Sequence, residues 1–341
     1  MTTRINPFHQ LVWRTPQTLQ LGIGSQNTVL EQVSPAQEKF IDALYYGVPE
    51  GKLGALARQL KLTSVQADEL LEAVGPLLIS ATGTETAKTA LGDQARASLD
   101  HRTEFAAVLE RRRAKVVQVL DLDATGLTLV LALAAAGVGL IQSPDLERVT
   151  EADCATNLYP RALLGYRRFQ AAKLILDSSW PGSKLQSTAR ISKNMARPDL
   201  VVLTSHQVTN PVEVGRWRAA EVPTIQIRYE ADSLSVSPVL AGADGCLNCE
   251  VQFQQDGDPA YLAIATQLLE SQLRFDDSAG RLMACGLAVH SILKFIDGAP
   301  KEAISYQVDR WPNPALRAKV WESHPACSCT VRSQLELDEA G

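Results

Sequence analysis

Two closely spaced pairs of cysteines have the residue types and spacing for a metal site. The first pair is Cys246 and Cys249, and the second is Cys327 and Cys329. Four thiolates in a tetrahedron are the ligand set that structural Zn²⁺ prefers, and they leave no open position for chemistry. The pairs therefore predict a structural zinc site, with two disulfides or unconnected cysteines as alternatives. His324 could replace one sulfur, although a cap on the preceding turn is its simpler role.

A strand, turn and helix near the middle of the chain resemble a phosphate-binding unit that has lost its glycines. The predicted elements are a strand at 116–120, an apolar helix at 127–136 and a second strand from 138 towards Asp145. A working turn needs G-x-G-x-x-G, so that a phosphate can approach the backbone at the helix N-terminus. Here only the third glycine, Gly126, remains, and Asp121 and Asp123 take the place of the phosphates, which they would repel. We interpret the unit as a nucleotide fold that no longer binds nucleotide; an unrelated buried unit is the alternative.

Length and composition limit the function classes. A chain of 341 residues is expected to form two domains. Its net charge of −5 argues against a general affinity for nucleic acid or anionic membranes. The N-terminus lacks the apolar run of a signal peptide, and no stretch approaches ~18 uninterrupted apolar residues, so we expect a cytoplasmic protein.

The first 90 residues have the pattern of a winged helix-turn-helix. Short β-like runs fill residues 8–33, and capping boxes at Ser34 and Thr63 start two of three amphipathic helices. The third helix carries Asp68, Glu69 and Glu72, with no Lys or Arg from 63 to 80, so it is unsuited to DNA. The remaining use of such a module is to bind a peptide that adds a strand to the sheet edge.

The rest of the chain predicts an α/β domain. Residues 91–115 are expected to form a linker passing into a helix, with the basic run at 111–115 on a solvated face. Within 116–341, helices are predicted at 164–177, 259–275 and 278–296, and further strands at 199–203, 224–229 and 235–240. Strands alternating with helices indicate a sheet covered by helices.

These features together resemble the ThiF/E1-like superfamily over roughly residues 100–341. More narrowly, the chain resembles the ocin-ThiF-like proteins, the leader-peptide-binding cyclodehydratase partners of azole-forming (TOMM) clusters of ribosomally made peptides. The narrower likeness is carried by four motifs: the N-terminal winged helix, Pro-Val-Leu-Ala-Gly at 238–242 leading into the first cysteine pair, Asp-Pro-Ala-Tyr at 258–261, and the ending from His324 to Cys329.

The resemblance implies that most of the superfamily's ATP machinery is missing. Asp145 matches the acid that binds ribose, but the Gly-Lys-x-Lys element reads Gly165-Tyr166-Arg167-Arg168 and has no lysine. His206 stands where active members place the magnesium-binding aspartate. The expectation is therefore a pseudoenzyme without ATP, whose degenerate nucleotide site comprises Asp121, Asp123, Gly126, Asp145 and His206.

By resemblance, the function is non-catalytic. The chain would capture the leader of a precursor peptide and present the peptide to a YcaO-type cyclodehydratase, and it would form a homodimer. The leader would add a strand to the third strand of the winged helix, termed a RiPP recognition element, and rest on its third helix. The residues expected to contact it are Thr28, Val29, Leu30, Glu31, Val33, Gln66, Glu69, Leu70 and Ala73.

Two other functions compete with this expectation. The first is an active E1-like adenylyltransferase that uses ATP to activate a peptide carboxylate; Asp121, Asp123 and His206 argue against it. The second is a transcription regulator whose winged helix binds DNA, against which stands the acidic third helix.

Overall fold

The computed structural model of the chain divides into two compact units, Met1–Arg111 and Arg112–Gly341. Each unit has its own hydrophobic core. The structure describes residues 2–23, 27–81, 91–180, 182–190, 195–239, 246–271, 273–298, 304–310, 313–320 and 322–327.

The first part of the chain forms two small antiparallel sheets and several helices. In chain order the elements are β1 (Thr2–Ile5), β2 (Leu11–Thr15), β3 (Thr18–Leu21), β4 (Thr28–Leu30), α1 (Pro35–Tyr46), β5 (Val48–Pro49), α2 (Leu53–Gln59), α3 (Ser64–Val74), β6 (Leu78–Ala81), α4 (Leu91–His101) and α5 (Phe105–Arg113). The sheets have the orders β5-β1-β6 and β2-β3-β4. As a result, β2 and β4 are the edges of the second sheet.

Capping boxes fix the starts of α1 and α3. The Ser34 hydroxyl accepts a hydrogen bond from the Gln37 N–H, and the Gln37 side chain accepts one from the Ser34 N–H. Thr63 and Gln66 make the same reciprocal pair. Because each box satisfies two N–H groups that the helix cannot, local sequence determines where these helices begin.

An eight-stranded sheet with helices packed on it dominates the second part of the chain. Its elements are β7 (Val116–Val119), α6 (Ala124–Ala135), β8 (Leu140–Ser143), α7 (Glu151–Ala155), α8 (Arg168–Ser179), β9 (Lys184–Ser187), β10 (Leu200–His206), α9 (Pro211–Ala219), β11 (Thr224–Tyr229), β12 (Ser233–Val239), α10 (Leu247–Gly257), α11 (Tyr261–Leu268), α12 (Ser278–Ile296), β13 (Ile304–Asp309) and β14 (Ala315–Val320). The strand order is β14-β13-β12-β11-β10-β7-β8-β9. Five neighbouring strands pair in parallel: β11, β10, β7, β8 and β9. Strands β12, β13 and β14 extend the sheet beyond β11 with antiparallel pairing.

Helix α12 belongs to the core of this unit. By length and composition alone, it could cross a membrane. Ala284, Ala288 and Ile292 are fully buried, and the helix contacts β11, β12 and α6. Its apolar character is therefore explained by packing on the sheet.

The basic run before β7 does not form a uniformly solvated helix face. Arg112 is buried, and its guanidinium makes a bidentate pair with Asp297, at 2.9 Å from Nε to Oδ1 and 2.6 Å from Nη2 to Oδ2. Its Nη1 donates to the Ala136 carbonyl oxygen. The expectation of a solvated face is wrong at Arg112 because this arginine joins the ends of two helices of the α/β unit.

Candidate active site

The site residues lie where the direction of the sheet's connections reverses. From β7 the chain passes through α6 to β8 on one side, and later it crosses to β10 on the other side of β7. The loops that follow adjacent parallel strands on opposite sides of such a point leave a crevice, in which open α/β sheets bind their ligands. The end of β7, the loop after β8 and the end of β10 supply Asp121, Asp145 and His206 to this edge.

Side-chain and backbone atoms of the protein make close contacts with the start of α6 in the turn after β7. Asp123 is the N-cap of α6, and its carboxylate accepts a hydrogen bond from the Gly126 N–H at 2.9 Å. A Cβ at Gly126 would lie 1.7 Å from the Asp121 carbonyl oxygen, so only glycine fits there. This contact agrees with the close-packing role predicted for the third glycine. Because Asp123 occupies the helix N-terminus, a phosphate must find its donors elsewhere.

Asp145 ties the loop after β8 to the turn after β7. One carboxylate oxygen accepts from the Leu122 N–H at 2.7 Å and the other from the Glu147 N–H at 2.6 Å. Burial raises the pKa of Asp145, and these backbone hydrogen bonds oppose the rise. Each oxygen keeps a second lone pair with which to accept from a ligand hydroxyl.

Two arginines from distant segments balance the carboxylates. Arg168, from the start of α8, forms a bidentate pair with Asp153 and lies 4.0 Å from Asp145. Arg274, from the segment before α12, contacts Asp123 and binds Asp276 through Nε at 3.2 Å and Nη2 at 3.1 Å. The Arg274 side chain is 43% exposed, which makes it the more accessible of these two cations. Arg274 and Asp276 are not among the site residues predicted from the sequence, where their only signal is a short polar run between two apolar helices.

Asp121 is exposed to solvent, but protein atoms and like charges surround its carboxyl group. Burial, followed by repulsion from Asp123 and Asp145, raises its pKa to about 7. Near neutral pH, therefore, this carboxyl group is in part uncharged. The repulsion of phosphate that the turn sequence predicts is correspondingly weaker.

His206 is held in one orientation at the end of β10. The Phe275 N–H donates to its Nδ1 at 3.2 Å, and the ring stacks on Tyr229 with 5.5 Å between the ring centroids. Burial, and secondarily the charge of Arg274, lowers the pKa of His206. The ring is therefore neutral at physiological pH.

Two cavities differ in their relation to these residues. An open one of about 440 Å³ is lined by Arg274, Phe275, Asp276, Asp277 and Arg310, and so adjoins the carboxylate cluster. A second cavity, of about 510 Å³, is lined by residues that include Arg228 and the serines of β12. Arg228 and the neighbouring Tyr229 point to opposite faces of β11, so this second cavity lies on the far side of the sheet from Tyr229 and His206.

Three of the four cysteines predicted as metal ligands meet. Cys246 is the N-cap of α10, Cys249 lies in its first turn, and both pack with Cys327. The Cys246 sulfur is 3.7 Å from each of the other two, and a tetrahedral zinc site with bonds of about 2.3 Å places sulfurs about 3.8 Å apart. Cys329 lies outside the described residues. The His324 ring accepts a hydrogen bond from the Ala326 N–H and makes a second hydrogen bond with Asp256, so it contacts the turn that follows it and not the preceding turn that was expected.

The residues expected to bind a leader peptide lie on β4 and α3 and in the segment after β4. The Thr28 hydroxyl donates to the Ala73 carbonyl oxygen at 3.2 Å, so the strand and the helix are in contact. Among the expected residues, Leu30, Val33 and Leu70 are buried in the core, and Glu31, Gln66 and Glu69 are exposed. The Gln66 side chain already serves the capping box of α3. Their role in peptide binding stays a prediction.

No protein-family model matches the sequence, and no curated protein matches it significantly. Solved structures do match in fold. E. coli MccB with ATP is 15% identical with a TM-score of 0.69, and the match covers 96% of this chain and 99% of that one. The microcin C7 biosynthetic enzyme MccB in complex with N-formylated MccA is 14% identical with a TM-score of 0.71, over 96% and 99% of the two chains. PaaA matches at 12% identity and a TM-score of 0.62, over 92% and 99%.

These neighbours correct three expectations: that the chain is a non-catalytic partner, that it is a pseudoenzyme and that it has no use for ATP. MccB is an enzyme, and structures of it hold ATP or AMPCPP. The expectations failed because they counted Asp121 and Asp123 as uncompensated charges. Arg274 pairs with Asp123, and Asp121 is in part protonated. The chain thus shares its fold with MccB, and its second unit is the α/β sheet covered by helices that the sequence indicated.

Proposed function

We propose that this chain is an ATP-dependent adenylyltransferase that activates a carboxylate of a peptide. One observation carries the proposal: Asp145, Arg274 and the carboxylates around them converge at the reversal point of an E1-like sheet. The fold neighbour MccB, whose structures hold ATP or the MccA peptide, supports the same reaction class.

In this proposal the α/β unit binds the nucleotide through separate groups. Asp145 accepts hydrogen bonds from the ribose, as the sequence resemblance implies. Arg274 holds phosphate oxygens with its exposed guanidinium, since planar N–H donors suit phosphate. The carboxylates of Asp123 and Asp276 repel a metal-free triphosphate. The nucleotide therefore binds as its magnesium complex, and the carboxylates and phosphates coordinate the magnesium ion together.

The reaction then follows from the chemistry of the two substrates. An oxygen of the peptide carboxylate attacks the α-phosphorus of ATP and forms a new P–O bond. The bond from that phosphorus to the bridging oxygen breaks, and its electron pair leaves on pyrophosphate. The products are an acyl adenylate and pyrophosphate. Arg274 stabilises the charge that builds up on the phosphate oxygens in the transition state.

The first 90 residues are assigned to capture of a precursor peptide. We infer a winged-helix module in which a leader segment adds to the β4 edge and rests on α3, with residues 91–115 joining it to the adenylating region at 116–341. Exposed Glu69 and Glu72 on α3 favour a leader with basic residues. A structural zinc on Cys246, Cys249, Cys327 and Cys329, a homodimer and a cytoplasmic location complete the proposal; nothing in it requires a YcaO-type partner.

Pyrophosphate exchange tests the reaction class. We expect ATP–pyrophosphate exchange in the presence of a pool of short synthetic peptides with free C-terminal carboxylates. The matched control is the same pool with amidated C-termini, which offers no C-terminal carboxylate to activate. Exchange with the free pool, absent with the amidated one, supports the proposal. Equal exchange with both pools would show that a C-terminal carboxylate is not the substrate.

A further inference from the structure

His206 occupies a position where its chemistry differs from that of a carboxylate. It ends β10, beside the reversal point, and the superfamily resemblance places a magnesium-binding aspartate there. An aspartate only accepts hydrogen bonds and binds cations, whereas a neutral imidazole has one donor and one acceptor nitrogen. Which nitrogen carries the proton decides what His206 does.

The surroundings of the ring fix that proton. Nδ1 accepts a hydrogen bond from the Phe275 N–H, so Nδ1 carries no hydrogen. The neutral ring must then carry its proton on Nε2. Stacking on Tyr229 restricts rotation of the His206 ring, so the two nitrogens do not exchange places. His206 therefore presents an N–H donor at Nε2.

That donor has no acceptor among the described residues. Nε2 is buried from solvent and makes no hydrogen bond. The Asp276 Oδ1 atom is 4.0 Å away, beyond hydrogen-bond distance. A buried donor without a partner costs free energy, which an oxygen atom of a bound ligand would recover. Nε2 lies near the Asp276 carboxylate and the His206 side chain is 17% exposed, which places that ligand beside Asp276 in the site described above.

A metal ion is the competing occupant, because ligand atoms of Asp123, His206 and Asp276 lie within 4.8 Å of one another. Coordination by Nε2 needs a lone pair on that nitrogen. With Nδ1 also accepting from Phe275, the ring would have to lose both protons and become an imidazolate. The two carboxylates can bind a cation, but His206 in this setting does not fit the role of a ligand.

We propose that His206 donates a hydrogen bond from Nε2 to a phosphate oxygen of the bound nucleotide, in place of the metal-binding carboxylate expected at this position. The inference rests on the proposed function for the identity of the ligand. His206 then contacts the substrate directly. Phosphate binding at this site depends on the Nε2–H donor of His206 as well as on the charge of Arg274.

Nitrogen NMR of the ligand-free chain tests the tautomer independently of ATP. The expected spectrum assigns the proton of the neutral His206 ring to Nε2, and comparison with His206→Gln identifies its signals. A neutral ring with its proton on Nδ1 would overturn the inference.

Calorimetry with Mg-ATP tests the contact in the full chain. His206→Ala should weaken binding about 10- to 100-fold, the range for a hydrogen bond to a charged group. His206→Gln, which keeps an N–H donor at the end of a side chain of similar reach, should restore most of the affinity, and His206→Asp should not. Melting temperatures show that each variant is folded.

The outcomes separate the two proposals. Wild-type binding that His206→Ala leaves unchanged overturns the contact and spares the proposed function. Binding by His206→Asp as tight as wild type would favour the metal role and also overturn it. A wild-type chain that does not bind Mg-ATP overturns both, whatever tautomer the spectra show.

Discussion

At the scale of single residues, the carboxyl end of β7 is governed by the balance between carboxylates and arginines. Asp123 and Asp276 share Arg274, and Asp145 and Asp153 flank Arg168. Asp121 has no arginine within ion-pair distance among the described residues. Its ionised form is therefore disfavoured by burial and by the neighbouring carboxylates, and its pKa is raised.

Asp121 should make stability depend on pH. Its pKa rises from 3.8 to about 7 on folding, so the folded state holds the proton more tightly than the unfolded state. Stability from this group is full below about pH 4 and falls as the pH rises through 7. Asp121→Asn, which cannot ionise, should therefore raise the melting temperature more at pH 8 than at pH 5. Thermal unfolding across this range measures it, and a difference from wild type that stays constant with pH contradicts the assignment.

At the scale of elements, local sequence accounts for the starts of helices and for the central strands. The capping boxes of α1 and α3 are written in four-residue motifs, and Gly126 is required where the backbone of the turn after β7 approaches α6. The helix predicted at 259–275 is in fact the short α11, and residues 247–257 form α10, where no helix was predicted. Neither follows from periodicity, because tertiary packing decides where these segments end.

The site could be predicted only in part for the same reason. The superfamily resemblance assigned Asp145 and His206 to the site, and in the structure they lie at or just after the ends of β8 and β10, the two strands that flank β7. Arg274 reaches the turn from 151 residues away in the chain. No local pattern encodes such a contact, and without it the charge of the site was misjudged.

The start of α10 should bind zinc together with the C-terminal tail. We expect about one zinc per chain in protein purified without a metal-binding tag, because the sulfur distances fit a tetrahedral site. Cys246→Ser should lose the metal and lower the melting temperature. Cys154→Ser is the matched control, since Cys154 lies outside the cluster. Elemental analysis that finds no zinc in the wild-type chain would remove this prediction.

The two edges of the β2-β3-β4 sheet should differ in peptide binding. A proline at Val29 or Glu31 removes an N–H that an added strand would need, so binding of a labelled peptide should weaken substantially. Trp13→Pro makes the same change on the opposite edge strand, β2, where the Trp13 N–H faces away from β3, and should leave binding close to wild type. Fluorescence polarisation with the precursor leader compares them. A larger loss from Trp13→Pro would move the site to the other edge.

At the scale of the whole molecule, a few contacts between residues distant in sequence hold the α/β unit together. The pair of Arg112 and Asp297 spans 185 positions and is 5% and 2% exposed at its side chains. Removing one partner leaves a buried charge alone, at a cost of about 3–5 kcal/mol. Chemical denaturation of Arg112→Ala should show this loss. Lys173→Ala, which breaks an exposed pair with Asp177, should lower the free energy of unfolding by less than about 1 kcal/mol. Similar losses for the two variants would show that burial does not set the contribution of an ion pair to stability.

Binding of Mg-ATP to the full chain is the measurement that bears most directly on the proposed adenylyltransferase. Calorimetry should detect binding with a dissociation constant of roughly 1 mM or tighter, the usual range for enzyme substrates. Arg274→Ala should weaken it at least about tenfold through loss of the phosphate contact, while Arg96→Ala, on an exposed face of α4, should not. Chelation of magnesium should abolish binding, because the carboxylates of the site then face an uncompensated triphosphate. Absence of binding by the wild-type chain at several millimolar Mg-ATP would contradict the account.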